Sequence, residues 1–247
     1  EIADFAGRPF HETAAAVIAP FAIGAFTRDD LTALARDAYS GFGHTAVTPV
    51  AQLTPHRFVL ELFHGPTLAF KDVAMQFLSR LMDRILAARN ARATIVCATS
   101  GDTGGAAVEA FRGAHNVDIV VLFPEGRVSD VQRRMMTTPD EDNVHALSIR
   151  GTFDDCQALV KAMFNDLAFR DRVALSGVNS INWARVVPQV SYYFAAAVAL
   201  GAPHRPVSFT VPTGNFGDIF AGYVARRMGL PIENLTIASN ENDILPR

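Results

Sequence analysis

The sequence predicts an α/β fold, with parallel sheets covered by helices. Apolar runs of strand length alternate with amphipathic helical stripes, and polar or glycine-bearing turns join the end of a run to the start of the next stripe. The clearest unit is the run Thr94–Ala98, the turn Ser100–Gly105, a helical stretch through Phe111 and a second run from Asp118 to Phe123. That order is a βαβ unit, whose strands lie parallel.

The chain through about Tyr39 reads as helical. Thr27 is placed to cap Arg28, Asp29 and Asp30, and Leu31, Leu34, Ala35 and Ala38 recur at helical spacing. Gly41-Phe42-Gly43-His44 and Thr48-Pro49 interrupt the pattern, and Phe58–Phe63 then reads as a strand. After Lys71, the stripe Ala74, Leu78, Leu81, Met82, Ile85 and Leu86 marks an amphipathic helix. Thr152 and Asp155 form a capping-box start for another, with Leu159, Val160, Met163, Phe164 and Leu167 as its apolar face. A final strand–turn–helix unit runs from Val207–Val211 through Thr213–Asp218 to Ile219–Met228, closed by Gly229.

Composition narrows the function classes. Over 247 residues, 49% hydrophobic and 19% charged content suits a compact globule rather than a disordered chain. A net charge of −3 with interspersed signs offers no basic run to follow a nucleic-acid backbone. No apolar stretch approaches the ~20 residues of a membrane span. Cys97 and Cys156 provide neither a disulfide framework nor metal-ligand spacing, and buried thiols in a cytoplasmic protein are expected. The chain starts without Met and stops just after a strand-like run, so a longer protein is expected.

Lys71 and three glycine-bearing or polar segments carry candidate chemistry. Lys71 stands at a helix start behind Leu68-Ala69-Phe70; apolar neighbours and the positive end of the helix both disfavour an ammonium, and a neutral amine is what Schiff-base chemistry with an aldehyde needs. Asp72 opposes this, since a carboxylate favours the charged form. The turns Gly214-Asn215-Phe216-Gly217 and Ser100–Gly105 place amides and hydroxyls at the carboxyl ends of strands, where α/β sheets bind ligands and phosphates. Such turns are also ordinary architecture, and neither fits a Walker loop or the G-x-G-x-x-G of a nicotinamide dehydrogenase. The third segment, Asn179–Arg185, gathers amide, hydroxyl and guanidinium donors suited to phosphate or carboxylate. Together they point to a phosphorylated cofactor meeting an anionic substrate.

At these residues the sequence resembles the threonine synthase family, among the fold-type II pyridoxal-phosphate enzymes. The strings that carry the resemblance are ELFHGPTLAFKD (61–72), ATSGDTGGAA (98–107), FPEGRVSDVQRRMMTT (123–138) and GTFDDCQALVKAMFND (151–166). They continue with VNSINWARVVPQVSYYF (178–194), VPTGNFGDIFAGYVARRMGLPI (211–232) and NENDIL (240–245). The resemblance implies a large and a small α/β subdomain with the cofactor in the cleft between them. It divides the chain into a helical N-terminal segment, 1–45, and an incomplete catalytic domain, 46–247, with the smaller subdomain at roughly 75–180.

It further implies that Lys71 forms the Schiff base with pyridoxal phosphate and moves protons. By the same resemblance, Gly214, Asn215, Phe216 and Gly217, with Asp218, bind the cofactor phosphate, and Asp102 faces the ring oxygen. Ser100 and Thr103 hold the substrate's carboxylate or phosphate, and Asn179, Ser180 and Arg185 its phosphate. The hydroxyl residue at the pyridine nitrogen is expected beyond Arg247. His64 either lines the pocket or makes a structural hydrogen bond. The implied reaction converts O-phospho-L-homoserine and water to L-threonine and phosphate, in the cytoplasm. The alternatives are a phospholyase or dehydratase giving 2-oxobutyrate and a catalytically silent cofactor-binding homologue. Metal, nucleic-acid and membrane partners are not implied, and the oligomeric state is unreadable.

Overall fold

A computed structural model describes residues 2–180 and 182–241. The chain divides into two compact units: one joins Glu1–His64 to Ser180–Arg247, and the other is the uninterrupted stretch Gly65–Asn179.

The uninterrupted unit is built on a four-stranded parallel sheet in the order β5-β4-β3-β6, from β3 (Ala93–Ala98), β4 (Val117–Pro124), β5 (Val144–Ile149) and β6 (Leu175–Ser176). Period-two alternation sends the two sets of strand side chains to opposite faces. Val96, Ala98, Val120 and Leu122 meet α6 (Phe153–Asn165) through Cys156, Val160 and Met163. On the other face, α4 (Asp102–Phe111) lies so near the sheet that a Cβ on Gly104 would stand 2.9 Å from Val121 Cγ1 and 2.4 Å from Thr99 Cγ2. Glycine is what lets this helix approach. The unit also holds α3 (Lys71–Ala88), α5 (Asp130–Thr137) and α7 (Leu167–Arg172).

The capping box of α6 is formed by Thr152 and Asp155, as read from sequence. Its apolar face is narrower than expected. Leu159 and Leu167 are exposed, the latter because the helix ends at Asn165 and Leu167 begins α7. Cys156 takes the inward position instead. Both cysteines are free and buried.

The other unit is arranged around α8 (Trp183–Ala199), which packs against α1 (Phe10–Ile18) and α9 (Gly217–Arg227); α1 in turn packs on α2 (Arg28–Tyr39). Every residue of α8 from Arg185 to Phe194 is buried, although Pro188 inside it supplies no N–H. Thr27 and Asp30 make a full capping box at α2. Two parallel strands, β7 (Val207–Pro212) and β8 (Ile232–Ala238), flank α9. Gly229 ends α9 at φ +100°, with Leu230 N donating to Ala225 O and Gly229 N to Arg226 O, a Schellman closure.

The expected strand 58–63 is shorter and of another kind. It is β2 (Arg57–Leu60), paired antiparallel with β1 (Val50–Thr54) across a tight turn at Pro55-His56. Beyond Leu60, Glu61 N still donates to Pro49 O, but Phe63 is half exposed and the chain leaves the ladder. Among the described residues no helix is long and apolar enough to cross a membrane.

Candidate active site

In the unit Gly65–Asn179, the turn before α3 is built to present Lys71. Asp72 is fully buried and accepts from Thr67 N at 2.8 Å and Thr67 Oγ1 at 2.6 Å. Gly65 lies against that carboxylate, where a Cβ would come within 2.4 Å of Asp72 Cβ. Leu68 adopts φ +60° while exposed, a left-handed backbone that a branched side chain rarely takes and that often marks functional turns. Asp72 is thus occupied by Thr67, and the carboxylate beside Lys71 is another: Lys71 Nζ stands 3.4 Å from Asp102 Oδ2, and 4.5 Å over the Phe70 ring.

Asp102 opens α4 after Gly101, which has φ +144°. The loop is tied from beneath by buried Thr99, whose Oγ1 accepts from Gly101 N (3.0 Å) and Gly104 N (2.8 Å). From the side, Gln132 Nε2 donates to Asp102 Oδ1 at 2.7 Å, while its Oε1 accepts from Ser129 in the capping box of α5. One carboxamide therefore caps a helix and orients Asp102. Ser100 and Thr103 flank Asp102 on the same loop, exposed and half-buried. Asn179 is exposed at the end of this unit.

Burial, set against the Thr67 hydrogen bonds, pushes the Asp72 carboxyl above its ordinary value. Because the folded carboxyl then takes its proton at higher pH than the unfolded one, stability at this site rises as pH falls through the raised value and levels off below the ordinary carboxylate range. Asp72→Asn removes that dependence. Denaturant titrations at neutral pH and near pH ~4 are expected to show the wild type gaining on the variant under acid; a gap that ignores pH contradicts a raised carboxyl.

In the other unit, β7 delivers the chain to Thr213, whose N and Oγ1 both donate to Ala238 O at 2.9 and 2.8 Å. Gly214 takes φ +43° with open space where a Cβ would be, and Phe216, the N-cap of α9, is left-handed at φ +61°. No side chain of that N-cap closes the helix. Asn215 Nδ2 donates to Ser180 Oγ at 3.3 Å, and Ser180 O lies 3.5 Å from the Cβ position of Gly217. Two segments that sequence assigned to different phosphate groups, 214–217 and the residue Ser180, are thereby neighbours. Arg185 lies deep in α8, 3% exposed.

Asp218 is turned inward. Its Oδ1 accepts from Tyr192 Oη at 2.5 Å and Tyr193 Oη at 2.9 Å. His64 Nε2 pairs with Glu61 Oε2 at 2.8 Å, and its ring stacks on Phe63. The structural hydrogen bond considered for it is present. Ile181 in the donor-rich segment and 242–245 of NENDIL lie outside the described residues.

Thr99, Gln132, Tyr192 and Tyr193 were not singled out by sequence. Ser129-x-x-Gln132 is a readable capping box, but the reach of Gln132 across to Asp102 belongs to tertiary structure.

The lysine at the start of α3 and, in the other unit, the glycine-bearing entry to α9 without a side-chain cap are features that a cofactor enzyme can use. The family described as "Pyridoxal-phosphate dependent enzyme" matches residues 41–246, and the chain belongs to it. Within that class the chain is similar to several threonine synthases. The threonine synthase of Pseudomonas aeruginosa is 56% identical over 247 residues, all of this chain and 53% of the relative. The crystal structure of a pyridoxal-phosphate-bound threonine synthase from Brucella melitensis superposes with a TM-score of 0.95 at 66% identity, covering 99% of this chain and 53% of that one. Yeast threonine synthase gives 0.87 at 44% identity, covering 98% and 50%. The chain spans about half the length of the relatives it matches.

Proposed function

We propose that the protein is a threonine synthase, converting O-phospho-L-homoserine and water to L-threonine and phosphate in the cytoplasm. The observation that carries the reading is the 56% identity to a threonine synthase across the whole of this chain. The donor set fits pyridoxal phosphate in kind. Lys71 offers an amine to an aldehyde, and the open Gly214 turn before α9, with no side-chain cap on the helix, suits a phosphate dianion.

In this reading Lys71 holds the cofactor and moves protons at the substrate carbons. Asp102, oriented by Gln132, faces the cofactor ring. Gly214, Asn215, Phe216 and Gly217, with Asp218 behind them, hold the cofactor phosphate. Ser100 and Thr103 take the substrate's carboxylate or phosphate, and Asn179, Ser180 and Arg185 its phosphate, where neutral donors and one guanidinium serve both bound ester and released ion. Pyridoxal phosphate supplies the electron sink for the substrate's carbon acidity. Two free, buried thiols agree with a reducing compartment.

Full-length protein incubated with O-phosphohomoserine is expected to release threonine and phosphate in equal amounts, followed by NMR. Appearance of 2-oxobutyrate without threonine selects a phospholyase instead. No turnover, with the cofactor bound, selects the silent homologue.

A further inference from the structure

The first turn of α9 contains one acid, Asp218, next to the glycine turn that the proposed function assigns to a phosphate. A carboxylate in that position ordinarily satisfies the positive end of its own helix, and so competes with any external anion for it. Here Asp218 Oδ1 is engaged from the protein interior. Tyr192 and Tyr193, adjacent on α8 and 0% and 1% exposed, both donate to it, and Tyr193 Oη also lies 3.0 Å from the Asp218 carbonyl.

The two phenols are themselves fixed. Their rings sit 5.1 Å apart; Tyr193 packs edge-on to Phe209 at 4.8 Å. Gly222 leaves the room Tyr193 needs, since a Cβ there would lie 2.8 Å from its ring. Tyr192 Oη has another acceptor, Gln189 Oε1, at 3.3 Å, but the shorter bond to a carboxylate claims its single proton. Burial, and then the neighbouring Asp218, push both phenols well above the ordinary tyrosine value, so both stay donors.

We propose that Tyr192 and Tyr193 are positioning residues for cofactor binding: by donating to Asp218 they hold its carboxylate inward and leave the N-terminal end of α9 to the cofactor phosphate. This rests on the reading of 214–217 as the phosphate loop. In this proposal the phenols act through Asp218.

The test compares pyridoxal phosphate with pyridoxal, which has the same ring and aldehyde but no phosphate. Dissociation constants are measured by fluorescence titration of the full-length apoenzyme, for wild type, Tyr192→Phe, Tyr193→Phe and the double variant. The double variant is expected to lose about tenfold in pyridoxal phosphate affinity, equivalent to ~1.4 kcal/mol, with pyridoxal affinity unchanged. Adding Asp218→Asn removes the competing charge and is expected to restore most of the loss. Should the double variant not fold, the single variants, each with and without Asp218→Asn, carry the same comparison. Equal weakening of both ligands, no weakening, or no rescue by Asp218→Asn overturns the proposal. A wild type that does not prefer pyridoxal phosphate to pyridoxal overturns the phosphate-loop reading itself, and is recognised before any variant is made.

Discussion

Lys71→Ala in the full-length enzyme is expected to abolish the absorbance of lysine-bound cofactor and to lower turnover of O-phosphohomoserine by ~10³-fold or more, the scale of losing a positioned proton carrier together with covalent attachment. The fold should survive, because the Lys71 side chain is partly exposed and, among the described residues, its polar contact is a 3.4 Å pair with Asp102. An exposed pair of this kind contributes little to stability. Lys71→Arg keeps a cation near Asp102 but cannot condense with an aldehyde, so it should resemble the alanine variant in spectrum and activity. Either variant retaining the wild-type spectrum would remove Lys71 from its role. Circular dichroism and melting temperature separate loss of chemistry from loss of structure.

Gly101→Ala is expected to damage both the fold and the loop. The backbone at φ +144° is open to glycine and strained for any L side chain, about 1–3 kcal/mol by itself. The added methyl would also stand 2.3 Å from Gln132 Cδ and 2.4 Å from its Oε1, so the carboxamide must leave Asp102. The two effects can be divided. Gln132→Ala in the Gly101→Ala background relieves the clash but not the backbone, so denaturant titration should show partial recovery, a non-additivity of neighbours. Fully additive losses would mean that Gln132 and Gly101 do not meet. Unchanged stability in the single variant would contradict the backbone geometry.

What could be read from sequence divides along the range of the interactions. The N-cap Thr27, the capping box Thr152/Asp155 and the glycine closure of α9 are local, three or four residues wide, and are legible in the sequence; the reciprocal bond of Asp30 to Thr27 comes from the structure. Strands β3 and β4 were legible because a buried parallel strand is a short apolar run. Phe58–Phe63 has the same look, yet only its first part pairs, antiparallel, in a direction set by the turn at Pro55-His56. The counter-ion of Lys71 is the sharper case. Sequence proximity named Asp72, one residue away, whereas folding gives Asp72 to Thr67 and brings Asp102 to the amine from 31 residues along the chain. Asp218 shows the same limit: its place in the string points to the phosphate turn, and only packing of α8 on α9 sends its carboxylate to two tyrosines.

The interruption of one unit by the other has a consequence for chain entropy. Gly65–Asn179 makes its sheet from strands that follow one another closely, as β3 and β4 do around a single helix. The other unit must join α1 to α8 across that entire stretch before either helix gains a partner in the other. Closing a longer loop is only gradually more unfavourable, roughly 0.6 kcal/mol per doubling of its length. A stretch that has already collapsed into its own sheet shortens the effective loop further. Non-local pairing of this kind slows folding more than it lowers final stability. The segment carrying Lys71 can therefore become ordered from contacts within its own neighbourhood. The turn at 214–217 leads into α9, which packs on α8, and α8 in turn packs on α1 from the other end of the sequence.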